Sequence, residues 1–207
     1  MMLEHLDNHE LQTCRLVCKR WCEASRQLPV NLRPNSLERL LQSSIAYPNA
    51  VSVSATLYRE TMAAPYFFNI LSSVPNLEFL RIEVCERTPL EPMQQCFQLL
   101  PRLTDLSIVV NTEYNADKVI ASIVHLTNLT KLHIDCFRPQ APLKRPLVEL
   151  EKVEHLQITF DLFTDEHGTC LFPSLTKLTR LELVSPEIPG VHFLTTQVGS
   201  WLSGILY

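Results

Sequence analysis

The sequence predicts an α/β chain in which short parallel strands stack side by side, with helices or irregular segments covering the other face and a small helical unit in front. Three observations predict it. A strand-like motif recurs at nearly constant spacing along most of the chain. The stretches between its copies carry helical periodicity or proline. The leading residues have their own apolar pattern at helical spacing.

The recurring motif is clear in five places: "PNLEFLRIEVC" at residues 75–85, "PRLTDLSIVVN" at 101–111, "TNLTKLHIDCF" at 127–137, "EKVEHLQITFD" at 151–161 and "TKLTRLELVSP" at 176–186. Each has an apolar anchor, two residues, Leu, one residue, then Ile or Leu. The anchors Leu77, Leu103, Leu129, Val153 and Leu178 are separated by 26, 26, 24 and 25 residues. A weaker copy, "PNAVSVSATLY" at 48–58, is anchored on Ala50. Alternate strand residues point to opposite faces, so Leu80 and Ile82 face one way and Phe79, Arg81 and Glu83 the other. One repeat cannot cover its own apolar pair; stacked neighbours make a continuous core. The pattern and its period resemble leucine-rich repeats. That resemblance implies an α/β leucine-rich-repeat solenoid of six parallel strands, centred near residues 53, 80, 106, 132, 156 and 181 and lining a concave face.

The connections justify themselves in turn. "PYFFNILSSV" at 65–74 reads as helix. So does "PMQQCFQLL" at 92–100, with Pro in the first turn and Met93, Cys96, Phe97 and Leu100 on one side. "NADKVIASIVHL" at 115–126 opens on a cap residue, Asn115, and gathers Val119, Ile120, Ile123 and Val124. Residues 138–150 hold three prolines and are expected to be irregular.

The front segment, "HLDNHELQTCRLVCKRWCEAS" at 5–25, begins with Asp7 and Glu10 in capping-box spacing. Leu11, Cys14, Val17, Cys18, Trp21 and Cys22 follow at roughly helical intervals, after a short apolar hook of Leu3 and Leu6. "EHLDNHELQTCRLVCKRW" resembles the second part of an F-box, and an F-box ahead of leucine-rich repeats is a familiar pairing. The resemblance implies an F-box that starts here part-way along, without the Leu-Pro-headed first helix. It implies the substrate-recognition role of an SCF-type E3 ubiquitin ligase: the F-box binds a Skp-type adaptor on a cullin scaffold, and the repeats hold a target protein. By position, Leu3, Leu6, Leu16, Val17 and Trp21 belong to the adaptor-facing or core set. The expected division is partial F-box helices over 1–30, a connecting segment over 31–46, about six repeats over 47–186, and a tail or truncated repeat over 187–207.

Composition narrows the class. The chain has 18 basic and 22 acidic residues, net −4, which does not make the basic face expected of a nucleic-acid binder. Seven cysteines, an odd number without repeated C-x-x-C spacing, read as reduced thiols of a cytoplasmic or nuclear protein. Cys14, Cys18 and Cys22 share a helical face and read as small buried hydrophobes rather than metal ligands. No apolar run is long enough to span a bilayer. No catalytic constellation accompanies His133, His155, Asp105 and Asp135, so the chain is expected to be no enzyme and to need no cofactor.

The outward residues form three rows. The first is Ser52, Phe79, Asp105, Lys131, His155 and Arg180; the second is Ser54, Arg81, Ser107, His133, Gln157 and Glu182; the third is Thr56, Glu83, Val109, Asp135, Thr159 and Val184. The rows are polar and mixed in charge. From them Phe79, Arg81, Asp105, Lys131, His133, His155 and Arg180 are the expected target-binding residues. One other reading stands beside the ubiquitin one: an interaction module whose front helices only cap the repeats. A small-ligand receptor would need a larger ring of repeats than six and a basic pocket, and the sequence shows neither.

Overall fold

The computed structural model describes residues 13, 19–55, 64–84, 88–110, 116–136, 150–160, 176–184 and 192–195. Within them lie five helices of eight or more residues: α1 (Lys19–Arg26), α2 (Leu37–Ala46), α3 (Ala64–Ser72), α4 (Leu90–Gln98) and α5 (Ala116–Ile123). Eight strands form one open sheet in chain order: β1 (Asn31–Leu32), β2 (Ser52–Ala55), β3 (Phe79–Val84), β4 (Asp105–Val110), β5 (Lys131–Cys136), β6 (His155–Phe160), β7 (Arg180–Val184) and β8 (His192–Thr195). The first seven pair in parallel, each with the next. All six strands expected from the repeat are present, with no antiparallel pairing among them. β8 adds to the edge of β7 in the antiparallel sense.

Register follows the sequence repeat residue for residue. Val53, Leu80, Leu106, Leu132, Leu156 and Leu181 lie side by side across the sheet, and Ala55, Ile82, Ile108, Ile134 and Ile158 form the next inward row. These residues are buried, together with the anchors Ala50, Leu77, Leu103, Leu129, Val153 and Leu178, in a single apolar cluster. Helices supply its other side. Phe67, Phe68 and Leu71 come from α3, and Met93, Cys96 and Phe97 from α4. The Phe67 and Phe68 rings meet edge to face, 5.3 Å apart. Burial pushes the Cys96 thiol up to about 11, against a weaker opposing hydrogen bond with Ser72. Cys96 therefore behaves as a core hydrophobe.

α4 starts two residues before Pro92, which is compatible with proline because first-turn amides have no partner inside the helix. The first internal bond comes one residue later, from the Met93 amide to the Pro89 carbonyl at 3.4 Å.

Two features of the fold carry no L-x-x-L-x-L signature. The segment 31–46, expected as a connector, contains β1 and α2. α2 is capped by Ser36, whose hydroxyl accepts from the Arg39 amide at 3.2 Å. β1 is two residues bracketed by Pro29 and Pro34, so it exists only through pairing with β2. The sheet thus begins one strand earlier than the repeat pattern indicates. The expected tail region contributes β8. The expected cap Asn115 and the irregular stretch 138–149 lie outside the described residues.

The turn leading into each strand is also built by register. Ala50, Leu77, Leu103, Leu129 and Val153 each close a tight turn by donating their amides to the carbonyl three residues back. One carbonyl before each strand then accepts two amides from the next repeat: Val51 from Glu78 and Phe79, Glu78 from Thr104 and Asp105, Thr104 from Thr130 and Lys131, Thr130 from Glu154 and His155, and Glu154 from Thr179 and Arg180. Side chains repeat the link. Asn76 donates to Asn49 at 3.1 Å, Arg102 to Asn76 at 3.0 Å, and Lys152 to Asn128 at 2.7 Å. Asn49 and Asn128 donate to the Arg26 and Pro101 carbonyls. This polar ladder satisfies turn groups that neither the core nor the strand ladder reaches.

Candidate functional site

Strand alternation places the polar rows on the face opposite the apolar cluster. The register fixes which residues meet. Phe79, Asp105, Lys131, His155 and Arg180 are successive neighbours across five strands, and Arg81, Ser107, His133, Gln157 and Glu182 form the adjacent row. These ten side chains, with Leu132 and Leu156 beneath, line one open depression of about 380 Å³. All seven residues expected to bind a target are therefore brought together.

Its charges are not equivalent. Lys131 lies 3.9 Å from Asp105 across the strands, and Arg180 contacts Glu182 two residues along its own strand. Both pairs are partly exposed, so each contributes little to stability. Burial raises the Asp105 carboxyl above its ordinary 3.8, outweighing the opposing pull of Lys131, His133 and His155; the pair with Lys131 is too long to win. Arg81 is exposed and forms no ion pair within the described residues.

Ser107 is the correction to the outward rows. It points to the polar face as expected, yet it is 5% exposed. Its short side chain stands between the much longer Arg81 and His133 on the flanking strands, and its hydroxyl is 3.5 Å from His133 Nδ1. His133 Nε2 is shielded from solvent and has no hydrogen-bond partner. Burial lowers the His133 pKa below 6.5, with Arg81 acting in the same direction and Asp135, Glu182 and Asp105 opposing.

A pH dependence follows. Between the lowered native value and 6.5 the unfolded chain binds more protons at this residue than the native chain, so its contribution to stability is present above pH 6.5 and lost as pH falls through the native value. Asp105, raised, acts with the opposite sign above pH 3.8. Thermal melts stepped from pH 7.5 to 5 are expected to show a falling midpoint, flattened in His133→Gln. An unchanged slope in that variant would remove His133 as the source.

Ser107, Gln157 and Glu182 line the depression but were not among the expected binding residues. The signal for them was the register itself: they occupy the same row as Arg81 and His133. Of the expected adaptor-facing residues, Leu3, Leu6, Leu16 and Val17 lie outside the described residues. Trp21 lies in α1, with its side chain outside the description. Cys14 and Cys18 are likewise undescribed, and Cys22 is half-buried on α1. Among the described residues no cluster of three or more His, Cys, Asp or Glu is placed to hold a metal ion, and no helix is long and apolar enough to cross a membrane.

An F-box domain model matches residues 3–33, a span that includes α1 and runs into β1. F-box domains generally bind Skp-type adaptors. No curated protein matches the chain.

Proposed function

We propose that this chain is the substrate-recognition subunit of an SCF-type E3 ubiquitin ligase. The F-box segment docks on a Skp-type adaptor carried by a cullin scaffold. The strands that follow form a leucine-rich-repeat solenoid over 47–186, whose concave polar face holds a target protein. The chain performs no bond chemistry itself; ubiquitin transfer belongs to other subunits, in the cytoplasm or nucleus. The observation that carries the reading is the F-box match at residues 3–33 joined directly to a parallel sheet whose polar rows line a depression. The second reading is an interaction module without a ligase role, favoured only by the limited extent of the F-box match.

Calorimetric titration of a purified Skp-type adaptor into the chain tests this. Binding is expected. Leu6→Asp and Leu16→Asp are each expected to weaken it by roughly 10- to 150-fold, the equivalent of about 1.5–3 kcal/mol for one large apolar contact. Thermal melts of both variants check that they remain folded. A folded parent chain that does not bind the adaptor would transfer the function to the second reading.

A further inference from the structure

We infer that the depression on the polar face is a receptor for a carboxylate side chain of the target, seated above Ser107 between Arg81 and His133, with an apolar neighbour in the target resting on Phe79. The inference rests on the target-binding reading and specifies what that face recognises.

The argument begins with charge. Five charged side chains line the depression: Arg81, Lys131, Arg180, Asp105 and Glu182. Lys131 faces Asp105 at the long distance of 3.9 Å, and Arg180 contacts Glu182. The one lining charge without an ion pair within the described residues is therefore the Arg81 guanidinium, so the complementary ligand group is an anion. A guanidinium presents two parallel N–H donors that match the two oxygens of a carboxylate.

Shape points to the same place. In the row Arg81–Ser107–His133, the central side chain is the smallest and its neighbours are long. Ser107 lines the depression between them, although its hydroxyl is largely shielded. That hydroxyl meets His133 only at 3.5 Å, the outer limit for a hydrogen bond, so it is available to donate elsewhere. His133 adds a ring to the lining of the depression. Phe79 precedes Arg81 by two residues on β3 and is half-buried on the same face, giving an apolar shelf beside the guanidinium.

The surroundings select a monoanion. Asp105 and Glu182 line the site, and Glu83 and Asp135 stand in the next row of the same face on β3 and β5. Against one unpaired cation these carboxylates disfavour a dianion. A protein carboxylate fits; a phosphoryl group, close to −2 at neutral pH, does not.

The experiment is a heteronuclear NMR titration of the full chain at constant ionic strength, following the Ser107 amide, the Arg81 side-chain N–H and the His133 ring. The probes are N-acetyl-glutamate amide, N-acetyl-glutamine amide and inorganic phosphate. The carboxylate is expected to shift all three signals with a millimolar dissociation constant, the range of about 4 kcal/mol that one small contact set can supply. The glutamine analogue should leave them still, and phosphate should bind more weakly. In Arg81→Ala, carboxylate binding followed at Ser107 and His133 should fall about tenfold or more; Arg81→Lys should recover it only in part, since a lysine lacks the fork. No carboxylate shift, tighter phosphate binding, or unchanged binding in a folded Arg81→Ala variant would each overturn the inference. The adaptor titration is independent of Arg81. Its failure alone would remove the ligase role and leave the carboxylate site standing, whereas failure of the NMR titration alone would leave the ligase role standing.

Discussion

Leu106→Asp is expected to remove the cooperative unfolding transition of the chain or lower its stability by about 4 kcal/mol or more. Leu106 is fully buried on β4, a central strand, between Leu80 and Leu132. Replacing it forfeits the burial of a large apolar side chain, about 1.5–3 kcal/mol, and places a carboxylate with no partner in the apolar cluster, which costs several kcal/mol more. Domains of ordinary stability hold only about 5–15 kcal/mol in total, so one such change consumes much of it. Ser54→Asp is the matched control. It lies on the polar face, directly across from Arg81, and is half-exposed. Its effect should stay within about 1 kcal/mol and can be favourable. Ser107→Asp would be a poor control, because Ser107 is shielded although it points outward. Chemical denaturation of the three proteins decides the matter: equal losses for Leu106→Asp and Ser54→Asp would show that the two faces are assigned wrongly.

The second large effect is expected on the helical side. Phe97→Ala should cost about 3–5 kcal/mol, because Phe97 is 1% exposed and its ring fills space between α4 and the sheet. Leu99, two residues later, is 59% exposed, and Leu99→Ala should change stability by no more than about 0.5 kcal/mol. The contrast tests the seating of α4 without altering its helix propensity greatly, since Leu99 lies just past the helix end. Comparable losses from both variants would mean that the helix is rotated about its axis relative to the arrangement described.

Much of this architecture was legible because its causes are periodic. A residue's face on a strand depends on its parity, and its row depends on the repeat length. The spacings of 26, 26, 24 and 25 between anchors therefore place Phe79, Asp105, Lys131, His155 and Arg180 in one line. Helical periodicity placed Met93, Cys96 and Phe97 on the buried side of α4 in the same way. The segments that escaped are those whose structure is supplied by a neighbour. β1 has two residues and no internal pattern; its strand conformation comes from hydrogen bonding to β2. The polar ladder joining Asn49, Asn76 and Arg102 links residues 26 or 27 positions apart, and no local window contains both partners.

The sequence by itself determined the parallel order of the six repeat strands, the apolar and polar faces, and the rows from which the lining of the depression is drawn, because backbone alternation and repeat length act through near-neighbour geometry. Only the tertiary structure decided that the sheet starts at Asn31, that Ser107 is shielded, and that, among the described residues lining the depression, Arg81 is the charge without an ion pair. The first depends on main-chain pairing with β2, which no local pattern encodes; the other two depend on how far individual side chains reach across and along strands, which is set by rotamer and packing rather than by spacing along the chain.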